Sequence, residues 1–218
     1  MSETIVTTDE VLAVRPDDTT EAAEVTSRRS IPWVRVLMAL STLLFAISHI
    51  WKYWELRLNA PQYPGGLFVS VYTHDVRGDV GEVDGLNHYI GMKPLAQAAE
   101  FERMIAPYAI AIFIIMGVAA IFLRRRWAPL MLIPIILFPI VVFVDLYVWL
   151  YYFGHSLDPT AALSGAIEEF TPAILGRGVV GQFTTDAAMG PGWWVSVAAA
   201  IAAMAAIVIN VRKSKGTD

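Results

Sequence analysis

Cysteine is absent from all 218 residues, which removes disulfide frameworks, thiolate metal sites and cysteine nucleophiles at once. Any metal chemistry must use His, Met, carboxylate or backbone oxygen. No Gly-rich phosphate loop, G-x-S-x-G, H-E-x-x-H or basic patch with interleaved aromatics occurs, so phosphate-loop chemistry, serine hydrolysis, zinc proteolysis and nucleic-acid binding find no support. The first 30 residues, rich in Thr, Val and acids, lack the basic start and short apolar core of a cleavable signal. They read as a disordered cytoplasmic tail, 1–30.

What the chain has is apolar length. Hydrophobic residues make up 56% of it and the mean hydropathy is positive, which places it in the membrane class. A transmembrane helix needs roughly 20 predominantly apolar residues. Four segments qualify, about 33–54, 104–123, 128–152 and 192–211, inside one membrane domain, 31–212, followed by a short tail, 213–218. Pro32 suits a first turn. Arg28 and Arg29 precede the first span, Arg124, Arg125 and Arg126 separate the second and third, and Arg212, Lys213 and Lys215 close the fourth. By the positive-inside rule these flanks, and both termini, are cytoplasmic. The connections 55–103 and 153–191 then face outward. Trp51, Trp54, Trp149, Trp193 and Trp194 at the outer ends, with Trp33 and Trp127 at the inner ends, fit an aromatic belt.

The expected fold is therefore an all-α membrane protein, a four-transmembrane-helix bundle whose two long extracytoplasmic loops form an outer cap. Within the loops, LFVSVYTHDV has the alternation of a short strand, and GDVGEV reads as a turn into a second one. PLAQAAEFERMIAPYAI reads as a helix from Pro94 running into the second span.

This topology puts all four histidines, His49, His74, His88 and His155, on the outer side. In Asn87-His88-Tyr89-Ile90-Gly91-Met92, His88 and Met92 stand four apart and share a face if the segment is helical. Imidazole with thioether suits copper, and His49, His74 and His155 are the further candidate metal ligands. The bland alternative is a turn in which Asn87 and His88 bond backbone groups. Asp145, set within the third span, requires a partner; His49 lies at similar depth and is a candidate for an ion pair or an orienting contact. Asp75, Asp79, Glu82 and Asp84 invite a calcium reading, but their spacing does not match an EF-hand loop and the neighbouring glycines account for it as turns. Asp158, before Pro159, fits a turn after a helix end.

The combination of LNAPQYP, GDVGEVDGLNHYIGM, Asp145 with YYFGHSLDP, and FTPAILGRGVVGQFTT resembles a group of small polytopic membrane proteins encoded beside copper-maturation and ABC-transporter components, including those that accompany nitrous-oxide reductase. The resemblance covers both long loops and the third span. It implies an accessory role in copper delivery or copper-enzyme assembly at the outer face, with an ABC-transporter or copper-enzyme component as partner, and no catalysis. The positions that carry it are Asn87, His88, Gly91 and Met92, then Asp145, His155 and Asp158. The lack of Cys or a dense Met/His tract departs from high-affinity copper chaperones and argues against tight storage. Two other classes fit the residues: a non-catalytic scaffold subunit whose loops dock a larger enzyme, and a redox subunit in which Asp145 and His49 relay protons.

Overall fold

The computed structural model describes residues 33–123, 125, 127–163, 165, 167–180 and 183–215. The tail 1–30, Pro32, Arg124 and Arg126 lie outside them, as do the side chains of 213–218. The chain divides into residues 1–33, of which only Trp33 is described, and a unit spanning Val34–Asp218.

Helix α1 (Trp33–Ser48) buries Val34, Met38, Ser41, Thr42, Phe45 and Ser48, the stripe that a 3.6-residue period places on one face. It stops well short of residue 54. Ser48 Oγ donates to the Phe45 carbonyl at 2.6 Å and meets Tyr53 Oη at 2.7 Å, so the chain folds back over the helix end. With 16 residues, α1 is shorter than a span requires. Among the described residues three helices are long and apolar enough to cross a membrane: Glu100–Phe122, Ala128–Gly154 and Pro191–Arg212.

The expected all-α class is corrected by a five-stranded antiparallel sheet in the order β3-β2-β1-β5-β4. Its strands are β1 (Trp54–Ala60), β2 (Tyr63–Val71), β3 (Val76–Gly78), β4 (Gly176–Val180) and β5 (Phe183–Met189). The reason is period-2 patterning. Trp54, Leu56, Leu58 and Ala60 alternate with Glu55, Arg57 and Asn59, and this aromatic, polar-interrupted stretch continues the hydropathy of α1 without continuing its helix. On β5, Phe183, Thr185, Ala187 and Met189 face inward. The opposite face carries Arg57 against Phe68 and the Arg177–Asp186 ion pair at 3.0 Å, with Asn59 also donating to Asp186. LFVSV is the strand expected, as part of β2.

GDVGEV is not a turn into a strand. Helix α2 (Val80–Ile90) starts there and buries Val83, Asn87 and Ile90 at helical spacing. Gly91 ends it in the left-handed region, φ 80°, which favours glycine. The helix expected from Pro94 is also interrupted. The Asp84 carboxylate accepts the backbone N–H groups of Leu95 and Ala96, fixing a short 3-10 turn at Leu95–Gln97, and α3 (Glu100–Phe122) begins only after Ala99, φ 49°.

A second 3-10 turn, Ala128–Leu132, leads into α4 (Ile133–Gly154), and α5 (Pro191–Lys215) follows β5 directly. The alanines Ala199, Ala203 and Ala206 of α5 let it approach Met38, Phe45, Leu132 and Ile135 closely, and all seven are at most 2% exposed. Ser41 Oγ donates to the Ala199 carbonyl at 2.9 Å across this contact. Trp54, Ala187 and Met189 of the sheet pack on Phe143, Leu146, Leu150 and Trp193, joining the sheet to α4 and α5.

Candidate functional site

The inner face of the sheet, the inner face of α2, α3 as far as Phe113 and α4 from Ile133 to Phe153 enclose a cavity of about 620 Å³. Its walls are aliphatic and aromatic over most of their area. At 1.5 Å per residue the α4 wall runs about 30 Å, so the cavity is elongated. α3 fully buries only Gly117 and Ala120, both beyond the cavity, and its first four turns lean on the cavity without closing it.

The polar groups on this wall are few and unusual. Thr73 Oγ1, Asn87 Nδ2, Glu102 Oε2, Arg103 Nε and Thr185 Oγ1 are buried, line the cavity and have no hydrogen-bonding partner among the described residues. Asn87 is 7% exposed and Thr185 5%. Glu102 and Arg103 are adjacent on α3, so their side chains leave the helix in different directions and do not pair. The Arg103 guanidinium instead donates through Nη2 to the Ala96 carbonyl. Asp145 reaches the same cavity from α4. Among the described residues neither carboxylate forms an ion pair.

The residues singled out in the sequence scatter. Asn87 and Met92 line the cavity, but His88 lies exposed on the other side of α2 beside Tyr89. His88 and Met92 do not share a helical face, because Gly91 ends the helix between them. Instead 87–92 docks on the segment after α4: Asp158 N–H donates to the Gly91 carbonyl at 2.8 Å and Leu163 N–H to the Tyr89 carbonyl at 2.9 Å. A Cβ on Gly91 would lie 2.7 Å and 2.8 Å from the Asp158 backbone oxygen and nitrogen. The hydroxyl and N–H of Thr160, with the charge of His88, hold the Asp158 carboxyl below its usual range. The turn reading of Asp158 stands.

His49 packs edge-on against Phe45 and Phe138 and stacks on Tyr53, with Nδ1 3.2 Å from Tyr53 Oη and Nε2 buried without a partner among the described residues. It forms no ion pair with Asp145, contrary to the contact anticipated. His74 is exposed in the turn after β2 and acts on His49 through charge. His155 stacks on Tyr151 at 3.9 Å and contacts its carbonyl through Nδ1 at 2.8 Å. Among the described residues no three His, Asp or Glu side chains are grouped to hold a metal ion. The acidic run of the calcium reading is dispersed: Asp75 bonds Arg77 and its carboxyl is held down by it, Asp79 accepts the Phe68 N–H, and Asp84 serves the 3-10 turn.

Sequence reading missed Thr73, Glu102, Arg103 and Thr185. The available signal was an adjacent acid and base at the mouth of a strongly apolar helix, and a threonine at an inward position of an alternating strand. Fold and cavity together define a membrane protein with an antiparallel sheet seated against its long apolar helices. No family model, curated protein or solved structure matches the chain.

Proposed function

We propose that this chain is a non-catalytic integral membrane accessory protein that holds one chain-like amphiphile between its sheet and helices α3 and α4. The shape of the cavity carries the reading. The cavity, about 620 Å³, runs beside α4 from Ile133 to Phe153, a stretch of roughly 30 Å, between aliphatic and aromatic walls, the setting an extended hydrocarbon chain needs. The volume also lies in the range of small-molecule sites, about 300–1,000 Å³. Each polar atom buried without a partner costs about 1–3 kcal/mol. Five such atoms line this cavity among the described residues. A head group that pairs with them offsets that cost. The basic flanks favour an outward-facing sheet, which sets the occupant's head at the outer membrane surface. Nothing in the arrangement of the described histidines favours copper delivery over this reading.

Native mass spectrometry of protein purified in mild detergent tests it. The wild type should retain a stoichiometric lipid-mass adduct. Ala109→Trp, which fills the channel between α3 and α4, should lose the adduct while keeping the wild-type circular-dichroism spectrum. A bare wild-type mass, or an adduct indifferent to that substitution, would sink the proposal.

A further inference from the structure

The polar girdle of the cavity has a definite charge pattern. Its charged members are two carboxylates, Glu102 and Asp145, and one guanidinium, Arg103. Both carboxylates line the cavity, neither is in an ion pair among the described residues, and Arg103 is turned toward the Ala96 carbonyl. The same girdle offers two unused N–H donors, Asn87 Nδ2 and Arg103 Nε, the first on a side chain 7% exposed. A ligand with no cationic group leaves the two carboxylates uncompensated. An anionic one adds to the negative excess. A bare cation leaves the N–H donors unmet.

Resting on the amphiphile reading above, we propose that the occupant is an aminophospholipid. Its ammonium lies between Glu102 and Asp145 and its phosphate oxygens accept from Arg103 Nε and Asn87 Nδ2. The ammonium then meets carboxylates and the phosphate meets N–H donors, and contacts between charged partners are the strong, charge-assisted kind. A primary ammonium brings three N–H donors to the carboxylates, whereas a trimethylated one brings none. One acyl chain occupies the apolar length of the cavity beside α4. The other remains in the bilayer through the side of α3 that buries none of its first four turns.

The test exchanges the purified protein into nanodiscs with equal amounts of phosphatidylethanolamine, phosphatidylcholine and phosphatidylglycerol, then identifies the lipid retained after delipidation by native mass spectrometry. Phosphatidylethanolamine should be enriched about tenfold over phosphatidylglycerol, since a like charge set against the carboxylates is rejected, with phosphatidylcholine between them. The isosteric pair Glu102→Gln and Asp145→Asn should erase the preference without erasing retention. Because the wild-type preference is read without any variant, a poorly folding mutant does not blunt the test. Retention of all three lipids equally, of phosphatidylglycerol in excess, or of phosphatidylcholine as well as phosphatidylethanolamine overturns the head-group assignment and leaves the amphiphile site standing. Retention of no lipid overturns the site itself.

Discussion

The two ends of the helical layer treat buried hydroxyls in opposite ways. Where α1 meets α5, Ser41, Thr42 and Ser48 are at most 5% exposed and each donates to a backbone carbonyl, so the interior is close-packed and its polar atoms are satisfied. Between α3, α4 and the sheet, the hydroxyls of Thr73 and Thr185 are buried but unmatched among the described residues, beside an open channel. The first arrangement is complete in itself. The second leaves its hydroxyls turned to the channel.

That contrast can be broken in four ways. Leu132, 0% exposed at the packed end, should cost about 2–5 kcal/mol when truncated to Ala, because its neighbours are too tightly held to collapse into the void. Thermal unfolding in detergent measures it, and a loss below about 1 kcal/mol would deny the claim of close packing. Gly91→Ala comes next. Its positive φ and the Asp158 backbone behind it predict about 1–3 kcal/mol, with faster hydrogen exchange across 155–163. The third is a matched pair. Ser41→Ala removes a made hydrogen bond and should destabilise by about 0.6–1 kcal/mol, whereas Thr185→Val removes an unmade one and should leave the delipidated protein unchanged or more stable. Equal losses from both would erase the distinction between the two ends.

The smallest effect is on the sheet's outward face. Arg177 holds the Asp186 carboxyl below its ordinary value, with help from Asn59 and Arg57. A carboxyl depressed in the folded state contributes stability that is present above its unfolded pKa and lost as pH falls through the folded one. The Asp186 contribution is thus intact at neutral pH and disappears only below the ordinary carboxylate value, about 3.8. Acid melting curves of wild type and Asp186→Asn should converge there and differ slightly above it.

Hydropathy made the long helices α3, α4 and α5 legible, because an unbroken apolar run of roughly 20 residues matches the thickness of a bilayer and little else. It misled at α1, where Trp51, Tyr53 and Trp54 extend an apolar run that the backbone uses as a turn and a strand. The sheet was half visible: LFVSV alternates, but β1 was hidden inside the hydropathy of the first helix and β4–β5 in a Gly- and Thr-rich loop. The interest of Asn87 and Met92 was legible, though for the wrong reason. Histidine spacing suggested a ligand set, yet one left-handed glycine at Gly91 sends His88 and Met92 apart, and no periodicity argument registers a single φ angle. Glu102 and Arg103 counted only as loop charges until tertiary structure set them against Asp145.

The strand order carries a consequence for biosynthesis. Asn59 of β1 and its partner Asp186 of β5 stand 127 positions apart, and both α3 and α4 are made in the interval. At about 5–20 residues per second the ribosome needs roughly 6–25 s to deliver β5 after β1 emerges. During that time β1 presents an unpaired edge, the kind of strand that invites foreign pairing. The sheet closes only after both intervening helices have been synthesised, so its completion is among the last folding events open to this chain.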